Sequence, residues 1–291
     1  MKVWAVSNQK GGVGKTTTVT TLAGILASRG KRVLMLDLDP HGSLTSYFGG
    51  DPDTSANSIY HLFQHGPQCV DAVVQETAID GLHLIQAATA MATLDRQIGA
   101  SGGKGLIISQ GLAQLSDNYD YALLDCPPML GLLMVNALAA CEHLLIPVQT
   151  EFLALKGLER MLNTLAMVTK ARQMKLTYTI LPTMFDRRTR ASIHSLRTLR
   201  ENYAKTISPH VIPVDTQFRD ASLAGKPLSL INPRSRGALA YADVLDEILL
   251  TDDLRLRTPH KGILKSTLGV QGARPQEKTE SSFGVQQRAM S

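Results

Sequence analysis

The chain has 291 residues, 44% of them apolar and 19% charged, which is enough to bury a large core and unlike the polar composition of a disordered chain. Its three cysteines, Cys69, Cys126 and Cys141, are too widely spaced for a disulfide scaffold or a cysteine metal site, and they fit reduced core thiols. The net charge of +5 is uneven: residues 1–169 carry 10 Lys+Arg against 14 Asp+Glu, whereas residues 170–236 carry 13 against 4, an electrostatic footprint suited to a polyanion or to a solvated basic surface.

The opening residues lack the pattern of a secretory leader and enter a short apolar run, Val3 to Ser7, that reads as a buried strand. Asn8-Gln9-Lys10-Gly11-Gly12-Val13-Gly14-Lys15-Thr16-Thr17 follows, and helical spacing of Val19, Leu22, Ala23, Leu26 and Ala27 comes after it. Strand, glycine loop, Lys-Thr and helix make a phosphate-binding loop: glycines let backbone N–H groups turn toward phosphate, and the positive end of the helix favours the anion. Lys15 then reaches the outer phosphates, and the Thr16 hydroxyl is placed to ligate Mg²⁺. Lys10 is a second lysine that an ordinary loop of this kind does not need.

Next, Arg32 to Leu36 reads as a strand ending at Asp37-Leu38-Asp39-Pro40, expected to lie beside the first strand. Acidic groups at the carboxyl edge of an α/β sheet hold Mg²⁺ or orient an attacking water, although Asp-Pro followed by Gly42 is also ordinary turn chemistry. Helices are expected at 55–64, 89–98 and 106–115, with a strand at 81–85. Asp120 to Leu124 is a strand ending at Asp125, the Walker B arrangement, and Cys126-Pro127-Pro128 stops it. Beyond it, helices at 130–140, 152–171, 190–203, 217–224 and 237–250 alternate with strands at 143–147, 176–181 and 211–212. This βα rhythm predicts an α/β fold with a doubly wound, mostly parallel sheet. No apolar run approaches the ~18 residues that span a bilayer. The expected organisation is one domain over 1–257 and a flexible, Gly-, Pro-, Gln- and Ser-containing tail over 258–291, whose Ile263, Leu264, Leu268 and Val270 make at most a turn or two of amphipathic helix.

K-G-G-V-G-K-T-T at 10–17, V-L-M-L-D-L-D-P-H-G-S at 33–43 and Y-A-L-L-D-C-P-P at 121–128 resemble the ParA/MinD group of deviant-Walker ATPases, above all its small, Soj-like ParA branch. The resemblance runs on through Glu151 to Gly157, Leu181 to Thr189, Ile212-Pro213, Gly225-Lys226-Pro227 and Ser235 to Ala238, covering roughly residues 1–250. It implies an ATP hydrolase, slow and stimulated by a partner, that uses ATP and Mg²⁺ in a nucleotide-sandwich homodimer. Gly11, Gly12, Val13, Gly14, Lys15, Thr16 and Thr17 match the nucleotide loop, and Lys10 the signature lysine that reaches the partner's ATP. Thr16, Asp37 and Asp125 match the metal site, and Asp39 the aspartate needed for hydrolysis. Met184, Pro213 and Asp215 lie in the loops that hold adenine. ATP-bound ParA dimers bind DNA without sequence preference, which nominates Arg187, Arg188, Arg190, Arg219, Arg234 and Arg236.

Such a protein is cytoplasmic, at the nucleoid or a pole, and positions a chromosome or plasmid locus, or a protein assembly such as a chemoreceptor array. Its hydrolysis is triggered by a ParB-like protein or cargo adaptor. Two other readings of the resemblance are a MinD-like membrane-cycling regulator of division or flagellar placement, and a nitrogenase-reductase-like enzyme using Cys126 and Cys141 for a cluster. The chain departs from the usual D-P-Q-G-N in carrying Asp39-Pro40-His41-Gly42-Ser43, and because Lys2 already begins the first strand no helix-turn-helix is expected ahead of the loop.

Overall fold

The structure, a computed structural model, describes residues 1–55, 57–98, 105–171 and 176–257. The tail expected at 258–291 lies outside the described residues. The chain divides into two compact units, Met1–Leu249 and Leu250–Ser291. In chain order the elements are β1 (Lys2–Val6), α1 (Lys15–Ser28), β2 (Val33–Asp37), α2 (Ser43–Tyr47), α3 (Ile59–His65), α4 (Val70–Val73), β3 (Gln75–Glu76), β4 (Leu82–Ile85), α5 (Met91–Ile98) and α6 (Ile107–Gln114). They continue as β5 (Tyr121–Asp125), α7 (Leu132–Ala140), β6 (His143–Gln149), α8 (Phe152–Ala171), β7 (Thr177–Thr183), α9 (Arg190–Asn202), α10 (Gln217–Leu223), α11 (Leu228–Ile231) and α12 (Arg236–Arg257).

Seven strands form one sheet in the order β3-β4-β2-β5-β1-β6-β7. Every pairing is parallel except that of β3 with β4. Successive strand residues alternate between two cores, as the period-2 geometry of a sheet covered on both faces requires. Val3, Ala5, Leu34, Leu36, Ala122 and Leu124 enter one core, shared with α7 and α8. Trp4, Val6, Val33, Met35, Tyr121 and Leu123 enter the other, shared with α1 and α12. Within the second core Trp4 meets Tyr121 edge-on, ring centroids 5.2 Å apart. Gly24 lets α1 approach α11 closely, since a Cβ there would collide with Pro227 and Ser229.

Two expectations are corrected. β2 does not lie beside β1: β5 runs between them, pairing with β1 on one side and β2 on the other. The α1 crossover spans two strand positions, leaving a central slot for β5, which is buried at all five residues. The consequence is chemical, because it sets Asp37 directly opposite Asp125. Nor do Val211 and Ile212 form a strand. The region is reduced to a single bridge, Phe185 with Pro213: the Ile212 N–H donates to the Pro182 carbonyl and the Ile212 carbonyl accepts from the Phe185 N–H, so Met184, at φ 52°, is an extra residue that throws the two segments out of register. Conversely, β3 was invisible in the sequence: two polar edge residues carry no hydrophobic alternation.

Candidate functional site

The site is built at the carboxyl edge of the sheet from the chain that follows β1, β2 and β5. Between β1 and α1 the loop needs glycine at its last position, since Gly14 caps the helix at φ 93°, which side chains with a Cβ avoid. A Cβ built on Gly11, Gly12 or Gly14 meets no atom within 4 Å, so the loop faces open space at the N-terminus of a 14-residue helix. That is a cradle for an anion, with Lys15 on the helix's first turn. The loop is tied down at both ends. Asn8 Nδ2 donates to the Pro147 carbonyl at 2.7 Å while its Oδ1 accepts from the Lys10 N–H, and Thr183 Oγ1 donates to the Val13 carbonyl at 2.9 Å.

Thr16, Asp37 and Asp125, nominated for a metal site, come together in the structure. Thr16 Oγ1 donates to Asp125 Oδ2 at 2.6 Å. The other oxygen of Asp125 is buried without a partner among the described residues. Asp37 is also fully buried. Its Oδ2 accepts from the Thr45 N–H at 2.7 Å and the Thr45 hydroxyl at 2.8 Å, and its Oδ1 from the Asp39 N–H. Burial pushes both carboxyls above the ordinary carboxylate range, and the proximity of Asp37 pushes Asp125 further. Two buried acidic groups side by side, one with an orphaned oxygen, oppose each other's ionisation, and a divalent cation relieves that opposition. The donor set is oxygen only, carboxylate and hydroxyl, which suits Mg²⁺.

Asp39 sits just past β2 with a side chain only 13% exposed. Its Oδ1 accepts from the His41 N–H at 3.1 Å and lies 2.8 Å from His41 Nδ1. Lys10 turns toward the end of β6 rather than into its own loop. Its Nζ donates to Gln149 Oε1 at 3.2 Å and is ion-paired with Glu151, and both charged side chains remain about one-third exposed. Phe152 and Leu153, which follow Glu151, are large apolar residues left in solvent.

This geometry has counterparts. A family model described as an AAA domain matches residues 1–178. The sporulation initiation inhibitor protein Soj of Bacillus subtilis is 37% identical over 248 residues, covering 85% of this chain and 98% of Soj. The chain belongs to the ParA/Soj family of P-loop ATPases. The chromosome partitioning protein ParA of Caulobacter vibrioides is 32% identical over 252 residues, covering 86% of this chain and 94% of its own. Among solved structures, cobyrinic acid a,c-diamide synthase from Mycobacterium smegmatis, with bound ATP analog and magnesium, is 31% identical with a TM-score of 0.74, covering 90% of this chain and all of its own.

The remaining residues that the ParA resemblance nominates fall in three stretches, 184–190, 213–219 and 234–236, with Arg190 and Arg236 opening α9 and α12 and Arg219 on α10. Phe185 N–H donates to Ile212 O and Val214 N–H to Phe185 O, joining the first two, and the Gly237 N–H donates to Asp215 Oδ2, joining the third. Met184 adopts φ 52° and is exposed, and Pro213 is half-buried beside it across the bridge. Asp215 is occupied locally, each oxygen accepting a backbone N–H at the start of α10 or α12. All six nominated arginines are exposed. Arg188 is not free, however: its Nε and Nη2 grip the Asp186 carboxylate, and the guanidinium holds that carboxyl down at about 2. Cys126 and Cys141 are packed in the core beside α7, and burial pushes the Cys141 thiol up to about 12.

Sequence reasoning missed Thr45, Gln149 and Glu151. Thr45 had a signal, a hydroxyl residue one helical turn into the segment after Asp-Pro-His-Gly. The pairing of Lys10 with Gln149 and Glu151 had none, since they lie 139 and 141 residues away, although Glu151 opens a stretch that carries the family resemblance.

Proposed function

We propose that the protein is a ParA-type partition switch: an ATPase whose Mg²⁺-ATP form closes into a homodimer, binds DNA without sequence preference and positions a cargo until a partner protein triggers hydrolysis. The observation that carries this reading is the orientation of Lys10. Its ammonium group reaches the carboxyl end of β6, where its partners are the side chains of Gln149 and Glu151 rather than the loop's own cradle, and it stays about one-third exposed. A cation at that surface is suited to the phosphates of a facing subunit.

In this reading residues 1–257 are the working domain and residues 258–291 an appended tail. Gly11 to Thr17 hold the phosphates through backbone N–H groups, with Lys15 neutralising their charge. Thr16 and Asp125 hold Mg²⁺, with Asp37 beside them, and the cation neutralises charge that develops as the γ-phosphoryl group leaves. Asp39 orients the attacking water. Met184 and Pro213 flank the base. The arginines of the 187–190, 219 and 234–236 stretches face DNA phosphates, which makes binding steeply salt-dependent. The protein then resides on the nucleoid or at a pole, and its cargo is a DNA locus or a protein assembly.

Light scattering after size exclusion, with Mg²⁺ and a slowly hydrolysed ATP analogue, tests the dimer. The parent chain should double in mass, while Lys10→Ala should stay monomeric and fail to shift DNA yet retain nucleotide. A Lys10→Ala protein that dimerises with parental affinity sinks the sandwich.

A further inference from the structure

We propose that His41 is a positioning residue that fixes the hydrolytic carboxylate of Asp39, an inference that rests on the reading of Asp39 given above. Residues 39–42 form a tight turn in which the Gly42 N–H donates to the Asp39 carbonyl at 2.8 Å, with Gly42 at φ 64°. Within the turn, Asp39 Oδ1 takes both contacts from His41, the backbone N–H at 3.1 Å and ring Nδ1 at 2.8 Å. With the Asp39 oxygen as the acceptor of this contact, the donor is the ring N–H, which is the Nδ1–H tautomer.

One backbone donor leaves the carboxylate free to swing about its outer torsion, whose well is broad and two-fold. A second donor on the same oxygen, from a ring anchored two residues on, closes that freedom. Oδ1 is then occupied, and Oδ2 is the oxygen left to accept from a water. The exposures agree with this division of labour: the ring is 82% exposed and the carboxylate beneath it 13%. Among the described residues no hydrogen bond joins His41 to the loop or to the metal-site acids, so it acts on the reaction only through Asp39. This chain carries a rigid ring where the resemblance leads one to expect glutamine. Nδ1 lies two bonds from Cβ, the reach of an asparagine amide and one bond short of a glutamine amide.

Steady-state Mg²⁺-ATPase kinetics on the full chain, with nucleotide affinity measured separately, tests the assignment. His41→Ala is expected to lower kcat about threefold to fivefold, the scale of an exposed charge-assisted pair, with KM and nucleotide affinity unchanged. His41→Asn, which restores a donor at the same reach, should recover kcat to within about twofold. Parental kcat in His41→Ala, a loss confined to KM, or an asparagine variant no better than alanine would each overturn the proposal. Asp39→Ala is the control for the reading beneath it: parental turnover there would remove Asp39 from hydrolysis, whereas its loss alongside an unimpaired His41→Ala would defeat the positioning role alone.

Discussion

Thr45→Val should be among the most costly single substitutions near the site, although it removes only a hydroxyl. Thr45 is fully buried, and its Oγ1 bridges two groups: it donates to Asp37 Oδ2 at 2.8 Å and accepts from the Ala87 N–H at 2.8 Å. Valine keeps the shape and the β-branch, so no cavity opens. It takes away a hydrogen bond to a buried acidic group, worth about 1.5–3 kcal/mol, and strands a buried backbone N–H, which costs about 1–3 kcal/mol. The added methyl offsets about 0.8 kcal/mol. The net loss is about 2–5 kcal/mol, which for a domain of this size lowers the melting midpoint by roughly 4–20 °C. Urea unfolding followed by circular dichroism, without nucleotide, measures it. A loss below about 1 kcal/mol would refute the bridge. The backbone N–H of Thr45 still holds Asp37, so nucleotide-dependent stabilisation should survive in reduced form.

The same reasoning gives three further expectations. Asp125→Asn removes one of two facing buried acids, so the nucleotide-free protein should melt higher while the gain on adding Mg²⁺-ATP disappears; an unchanged Mg²⁺-ATP gain would exclude Asp125 from the metal site. A thiol reagent at pH 8 should modify one cysteine rapidly in the native protein, Cys69, and all three only in denaturant, because Cys126 and Cys141 are buried and the Cys141 thiol is raised to about 12. Rapid modification of two or three native thiols would contradict the packing. Arg188→Glu should weaken DNA binding at low salt, whereas Asp186→Ala, which releases the Arg188 guanidinium, should strengthen it about twofold to fivefold. Equal affinities in filter binding would place the footprint elsewhere.

Much of the fold was legible because its signals are local. Apolar runs punctuated by Gly, Asp and Pro marked β1, β2, β4, β5, β6 and β7. The loop at 10–17 declared its chemistry through residue types that few other structures need together. Thr16, Asp37 and Asp125 were picked out by motif, and the structure bonds Thr16 to Asp125 and sets Asp125 opposite Asp37. Failures occurred where local pattern is silent. β3 is two polar residues whose strand character comes only from pairing with β4, and Val211-Ile212 looks like a strand, but the extra residue at Met184 in the facing segment leaves it no regular ladder.

Sequence by itself therefore determined the inventory: a parallel α/β sheet, a phosphate loop, acids at strand ends and one lysine too many. Only the tertiary structure decided the neighbours. The insertion of β5 between β1 and β2 sets Asp37 against Asp125, and a buried acidic pair that resists ionisation is what a cation at this place would relieve. The pairing of Lys10 with Gln149 and Glu151, and of Thr183 with Val13, joins groups more than a hundred residues apart. Strand order and long-range hydrogen bonds depend on how whole faces pack, and a local window of sequence carries no record of them.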